Sequence, residues 1–223
     1  MYKRQLSNTG AGFREAFLGL VKKLPGQGKR ALEELETLLK DLGLQQITSV
    51  AQQVKSRLTT IDILKKQIMD PRTHEIKGDN SIHRILESAM WLVDERYWLL
   101  QSNESLRTFI GDEMSKRDRK KYGKQRPDFV CGSVEDKLII IEIKRPSHVL
   151  GLEDLDQLET YVTVAEQYKN YRSYEAYLVG RKIDDDLLRR RKHRSSSFKI
   201  WTYSDLLEST EARYRSYLRV FER

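Results

Sequence analysis

Apolar residues recur at three-and-four spacing through the first seventy residues, between Lys, Glu and Gln, which is the pattern of amphipathic helices. The pattern predicts three helices, near residues 13–24, 29–41 and 46–68. We expect Pro25 to end the first, Gly43 the second and Asp70-Pro71 the third. No constellation of catalytic residue types falls in this region, so we assign residues 1–72 to a helical region for oligomerisation or regulation.

The hydrophobic pattern changes after a polar link at residues 72–80. It then predicts an apolar helix at 81–100, a basic loop at 116–126, an extended segment at 127–132 and a strand at 138–144. The continuous apolar run of this strand predicts a central strand covered on both faces. A helix at 152–168, strands near 176–180 and 198–203, and a helix from Ser204 follow. The short turn between the extended segment and the first strand predicts a hairpin. The order of elements indicates an α/β domain over residues 80–223.

Charge and cysteine content narrow the partners and the compartment. Lys and Arg number 41 against 33 Asp and Glu, a formal charge of +8, which favours a polyanionic partner such as DNA. The longest uninterrupted apolar stretch, residues 89–93, is far too short for a membrane span, and we expect no membrane partner. The single cysteine, Cys131, excludes an intramolecular disulfide and a cysteine-based zinc site. We expect a buried thiol in the hairpin and a cytoplasmic protein.

Charged residues interrupt the predicted hairpin where a buried strand would tolerate them poorly. Glu142 and Lys144 are two residues apart and therefore share one face of their strand, and Asp128 on the adjacent strand can meet Glu142. Two carboxylates suit Mg²⁺ or Mn²⁺, and a lysine beside them can orient an attacking water. The alternative is an exposed ion pair on an edge strand, with Asp128 as a turn residue.

Three motifs carry a family resemblance. Arg126-Pro127-Asp128-Phe129, then Glu142-Ile143-Lys144-Arg145-Pro146, then Gln157 and Tyr161, resemble the PD-(D/E)xK nuclease superfamily, the last pair matching the Q-x-x-x-Y pattern of its RecB-like branch. Together with the segment from Ile200 to Leu207, the sequences of these motifs most resemble those of the Shedu anti-phage nucleases. The resemblance covers residue 80 to the C-terminus.

The resemblance implies a restriction-endonuclease-like core, a mixed sheet flanked by helices, that cuts DNA with Mg²⁺ or Mn²⁺. It implies Asp128 and Glu142 as metal ligands, Lys144 as the catalytic lysine and Gln157 as a positioning residue. Glu87, on the preceding helix, is the best candidate for a further metal ligand, although the chain has Asn80-Ser81 where the family has an acid. A homo-oligomer and a sensor domain or partner protein are also implied.

Basic residues next to the motifs are candidates for contact with DNA. These candidates are Lys120, Lys121, Lys124, Arg126 and Arg145, together with Tyr161. Clustered cations release counterions when they bind a polyanion, whereas the alternative is a solvated basic loop. His148 follows the predicted catalytic strand and either touches substrate or is a loop histidine without a role. A catalytically inactive nuclease-fold module that binds DNA or a partner protein is the alternative function.

Overall fold

The computed structural model of the chain describes residues 29–70, 72–73, 81–191 and 196–221. The predicted helix at residues 13–24 lies outside the described residues. The chain divides into two compact units, Met1–Lys55 and Ser56–Arg223. The second unit begins earlier than the predicted domain, which starts at residue 80. Its buried core includes Ile61, Leu64 and Ile68. The predicted role of residues 1–72 stays a prediction.

One continuous helix, α1 (Lys29–Met69), replaces the two helices predicted over this stretch. The expectation that Gly43 ends a helix was wrong. A single glycine inside a helix costs only about 1 kcal/mol relative to alanine, and helical sequence continues on both sides of it. A glycine without further breaking signals therefore does not stop this helix.

The remaining elements are a mixture of short helices and strands, with two longer helices. In chain order they are α2 (Ile82–Ser88), a 3₁₀ turn (Met90–Leu92), β1 (Tyr97–Ser102), α3 (Leu106–Ile110), a 3₁₀ turn (Gly111–Glu113), α4 (Lys116–Tyr122), β2 (Phe129–Ser133), β3 (Lys137–Ile143), β4 (Val149–Leu150), α5 (Leu152–Tyr168), β5 (Ser173–Gly180), β6 (Lys182–Ile183), α6 (Asp185–Arg191), β7 (Phe198–Thr202) and α7 (Tyr203–Phe221). The bounds of α5 agree with the predicted helix.

Two predictions of local structure were wrong. The helix predicted to residue 100 ends at Ser88, and β1 follows, pairing with β2 and laying Trp98 over Gly132. A β-carbon at Gly132 would lie 2.8 Å from that indole, so the glycine makes the contact possible. The basic stretch predicted as a loop contains α4, because the Ser115 side chain accepts the Asp118 N–H and caps the helix.

Five strands form one mixed sheet in the order β1-β2-β3-β5-β7. The first three are antiparallel neighbours, whereas β3, β5 and β7 run parallel. The predicted hairpin of β2 and β3 is confirmed, and β3 is the central strand. A second, two-stranded parallel sheet joins β4 and β6. The chain is therefore an α/β protein whose mixed sheet is flanked by helices.

Both faces of the main sheet are covered, which explains the continuous apolar run of β3. Ile139, Ile141 and Ile143 belong to one core cluster, while Leu138 and Ile140 belong to the other. Cys131 is buried on β2 as predicted, and burial raises the pKa of its thiol to about 12. Among the described residues, no helix combines the length and the apolar character that a membrane crossing requires.

Candidate active site

Two carboxylates meet within the hairpin, where the amino end of β2 lies beside the carboxyl end of β3. Glu142 lies near the end of β3, and Asp128 directly precedes β2. Because Phe129 pairs with Ile141, the register brings Asp128 opposite Glu142. Asp128 Oδ2 accepts the Ile143 backbone N–H at 2.7 Å. Both side chains are buried, with exposed fractions of 7% and 5%, so neither is a solvated turn or edge residue.

Lys144 joins these carboxylates to α5. Its Nζ donates to Glu142 Oε1 at 2.9 Å and to Gln157 Oε1 at 3.0 Å. Asp154 Oδ1 lies 3.5 Å from the same nitrogen. The predicted shared face of Glu142 and Lys144 is confirmed, and the alternative of an exposed edge-strand pair is excluded because β3 is central and buried.

The Glu142 carboxylate is only partly compensated. Its Oε2 is buried and has no hydrogen-bond partner among the described residues. Burial raises the pKa of Glu142 above its ordinary value, although Lys144 opposes the shift. Burial alone would lower the pKa of Lys144, but the Glu142 and Asp154 carboxylates outweigh it and raise that pKa. The site therefore holds a charged lysine beside a carboxylate that lacks full solvation.

The helix α5 supplies a hydrogen-bonded chain behind the lysine. Asp154, Gln157 and Tyr161 are spaced by three and four residues, so they share one face of α5. Gln157 Nε2 donates to the Tyr161 hydroxyl, which donates to the Arg126 carbonyl oxygen at 3.3 Å. The position of Lys144 is thereby coupled to the backbone that leads into Asp128.

Sequence reasoning missed Asp154. Its Oδ2 lies 2.7 Å from His148 Nε2 and accepts the Gly151 N–H at 3.0 Å. His148, for which the sequence left open either contact with substrate or a loop position without a role, therefore contacts the site through Asp154. The signal was present, because Asp154 precedes Gln157 by three residues and so lies on the same helix face.

The remaining predicted site residues are five cationic side chains, Tyr161 and Glu87, and they differ in their exposure to solvent. The predicted cationic contacts with DNA are all exposed, namely Lys120, Lys121, Lys124, Arg126 and Arg145. Tyr161 is only 1% exposed, so its ring is not available to DNA and the predicted direct contact was wrong. Glu87 is exposed on α2. Within the described ranges no three or more His, Cys, Asp or Glu side chains form a metal-binding group, so Glu87 does not join the two carboxylates.

The donor set fits a hard divalent cation bound by two carboxylates. Mg²⁺ is commonly held by one or two carboxylates, with waters and substrate phosphates as the remaining ligands. Asp128 and Glu142 provide that pair. The buried Oε2 of Glu142, without a hydrogen-bond partner in the described part of the chain, is the atom that a bound cation would compensate.

Comparison with known proteins assigns neither a family nor a function to this chain. No protein-family model matches the chain, and no curated protein matches it significantly. The functional interpretation therefore depends on the arrangement of the residues and on their motifs.

Proposed function

We propose that this chain is a divalent-metal-dependent nuclease that hydrolyses DNA phosphodiester bonds, a PD-(D/E)xK enzyme most like the Shedu anti-phage nucleases. The observation that carries the proposal is the meeting of two buried carboxylates, a lysine and a glutamine at the end of β3. The motif resemblance implies catalytic roles for these same four residues, Asp128, Glu142, Lys144 and Gln157. The five-stranded mixed sheet, with the acidic hairpin at its centre, supports a restriction-endonuclease-like core as part of the same proposal.

Each residue has a distinct task in this reaction. Asp128 and Glu142 would hold Mg²⁺ or Mn²⁺, which when bound supplies a Lewis acid and activates water. Lys144 presents an ammonium group to the scissile phosphate, where it stabilises the negative charge that grows in the transition state. Gln157 fixes the lysine at 3.0 Å, so the ammonium is positioned before substrate arrives.

The DNA strand would approach over the basic segment that precedes the site. Lys120, Lys121 and Lys124 are exposed on and just after α4, and exposed Arg126 is two residues from Asp128. Cations this close to the carboxylates can hold the phosphates that flank the scissile bond. The defence role and a sensor domain or partner protein rest on the resemblance. The homo-oligomer rests on the resemblance and on the apolar stripes of the helices predicted before residue 72.

A cleavage assay tests the proposal. Supercoiled plasmid and linear DNA are incubated with the wild type, Asp128→Asn and Lys144→Met, in Mg²⁺, Mn²⁺ or EDTA. Asparagine keeps an oxygen that can accept the Ile143 N–H, so Asp128→Asn preserves the hairpin. We expect cleavage with either metal, none in EDTA, and a loss of at least about 100-fold in both variants.

Glu166→Gln, an exposed carboxylate elsewhere on α5, is the matched control and should cleave like the wild type. Cleavage that persists in EDTA, or that is equal in Asp128→Asn, would contradict the proposal.

A second candidate is a nuclease-fold module that binds DNA or a partner protein without cutting. The observation that favours it is the small donor set, since the described residues form no group of three or more ligands and Asp128 Oδ2 already accepts a backbone N–H. This candidate predicts salt-sensitive DNA binding in EDTA and no product even with Mn²⁺. Product that depends on Lys144 would exclude it.

A further inference from the structure

His148 and Asp154 form a pair to which the proposed function gives no task. His148 Nε2 and Asp154 Oδ2 are 2.7 Å apart. The Asp154 side chain is only 12% exposed, whereas the imidazole is 40% exposed. A mostly buried carboxylate therefore holds an imidazole that is itself partly exposed.

The hydrogen bond settles which ring nitrogen can exchange a proton. Burial would raise the pKa of Asp154, but hydrogen bonds from Gly151 and His148 and the charge of Lys144 lower it below its ordinary value. An ionised carboxylate only accepts hydrogen bonds, so Nε2 is the donor. Nε2 is thus occupied by Asp154, and Nδ1 is the ring nitrogen that remains for proton exchange with another group.

Asp154 also connects this ring to the site. Its Oδ1 lies 3.5 Å from Lys144 Nζ, which donates to Glu142 at 2.9 Å. One carboxylate therefore positions both the imidazole and the lysine. Two side chains held by the two oxygens of one carboxylate can act on the same bound phosphodiester.

We propose that His148 is the general acid of this site, a catalytic residue that protonates the oxygen leaving from phosphorus, with Asp154 as its positioning residue. The inference rests on the proposed nuclease function. A bond forms between the water oxygen and phosphorus, and the bond from phosphorus to the leaving oxygen breaks. The Nδ1 proton passes to that oxygen, which leaves as a hydroxyl. The attacking water releases a proton to bulk solvent, and solvent protonates the ring again.

The test uses His148→Gln and a change of leaving group. The glutamine amide can still donate to Asp154, but it carries no proton that it can transfer. Two DNA substrates of one sequence are compared in single-turnover reactions with the same metal. One is ordinary DNA; the other has a bridging sulfur in place of the leaving oxygen, made in both the 3′ and 5′ isomers. A thiolate leaves readily without protonation.

We expect His148→Gln to cut ordinary DNA at least about 100-fold more slowly than the wild type. With sulfur at the leaving position, the variant should return to within a few-fold of the wild type. Lys144→Met, whose lost task is charge stabilisation, should stay slow on both substrates. Binding of ordinary DNA in EDTA should be equal in His148→Gln and the wild type, because a general acid acts on the reaction and not on affinity.

Unchanged cleavage of ordinary DNA by His148→Gln, or an equal loss on both substrates, would overturn the assignment. Weakened DNA binding with an equal loss on both substrates would make His148 a phosphate ligand instead. If the wild type cuts neither substrate with Mg²⁺ or Mn²⁺, the nuclease proposal itself fails. Wild-type cutting that requires Asp128, together with a failed sulfur rescue, would refute only the role of His148.

Discussion

Two strand glutamates, each beside a lysine, occupy opposite faces and opposite ends of the sheet. Glu142 lies near the carboxyl end of β3 and faces the cluster of Leu138 and Ile140. Glu175 lies near the amino end of β5, on the face of Tyr177 and Ile139. The two carboxylates have the same chemistry but differ in how completely their surroundings compensate their charge.

Glu175 is fully compensated. It accepts hydrogen bonds from Lys137 at 3.0 Å, from Lys199 at 2.9 Å and from the Tyr97 hydroxyl at 2.9 Å. Burial alone would raise the pKa of Glu175, but these donors lower it to about 2. Such a carboxylate stabilises the fold and has little capacity for a further cation.

Glu142 receives one lysine, keeps a buried oxygen without a hydrogen-bond partner among the described residues, and has a raised pKa because of burial. The comparison teaches that a buried strand carboxylate indicates a binding site when its compensation is incomplete. A satisfied carboxylate of the same type indicates structure.

The largest expected effect is on DNA cleavage, which should depend on Glu142 and not on Glu175. Glu142→Gln should lower DNA cleavage by at least about 100-fold, because it removes the charge of a proposed metal ligand. Glu175→Gln should cut within a few-fold of the wild type per folded molecule, since Glu175 lies on the other face of the sheet. Initial rates on supercoiled plasmid, normalised to folded protein, measure both. Equal loss in the two variants would remove the distinction.

The next effect separates them by stability. Glu175→Gln should lower the free energy of unfolding by on the order of 2–3 kcal/mol, because Lys199 loses this carboxylate and Lys137 is left with Glu135. Glu142→Gln should lower it less, since Lys144 keeps Gln157 at 3.0 Å and Asp154 at 3.5 Å. Urea unfolding at pH 7 measures the difference, and the exposed Glu166→Gln should change it by less than about 0.5 kcal/mol.

The pH dependence checks the cause of this second effect. The ordinary pKa of 4.5 is lowered to about 2 in the folded chain, so the contribution of Glu175 is fully present above pH 4.5 and is lost as pH falls toward 2. The stability difference between the wild type and Glu175→Gln should therefore shrink across this window. A difference that stays constant down to pH 2.5 would show that Glu175 acts by packing and not by charge.

The smallest effect concerns metal without DNA. Mn²⁺ at ten times its dissociation constant should stabilise the wild type by about 1.4 kcal/mol, because the ion binds only the folded state. Glu175→Gln should gain the same stabilisation, and Glu142→Gln should gain none. Thermal unfolding with and without Mn²⁺ gives the three values. An equal gain in Glu142→Gln would place the ion elsewhere.

Much of the fold around the site could be predicted from local pattern. The continuous apolar run of β3 predicted a strand covered on both faces. The alternation of side chains along a strand predicted that Glu142 and Lys144 share one face. The turn at residues 134–137 indicated the hairpin, which brings Asp128 opposite Glu142. These features depend on neighbours in sequence, so the sequence was sufficient to find them.

The features that could not be predicted depend on contacts distant in sequence. Tyr97 to Ser102 has enough apolar residues for either helix or strand, and the pairing of β1 with β2 decides the outcome. Asp154 looked like an ordinary acidic residue in the first turn of α5 until the fold placed Lys144 and His148 beside it. Glu87 was chosen by its place in the sequence, but its exposed position on α2 does not bring it to the other carboxylates.

The burial of Cys131 has a practical consequence for spectroscopy. It is the one cysteine in the chain, and with its thiol pKa raised to about 12 it remains protonated and inaccessible at neutral pH. A cysteine introduced at an exposed position, such as Lys124→Cys in the basic segment, would therefore be the one thiol that reacts with a maleimide dye. The natural chain thus accepts a single fluorophore in the basic segment without prior removal of cysteines, which permits distance measurements that test the proposed contact with DNA.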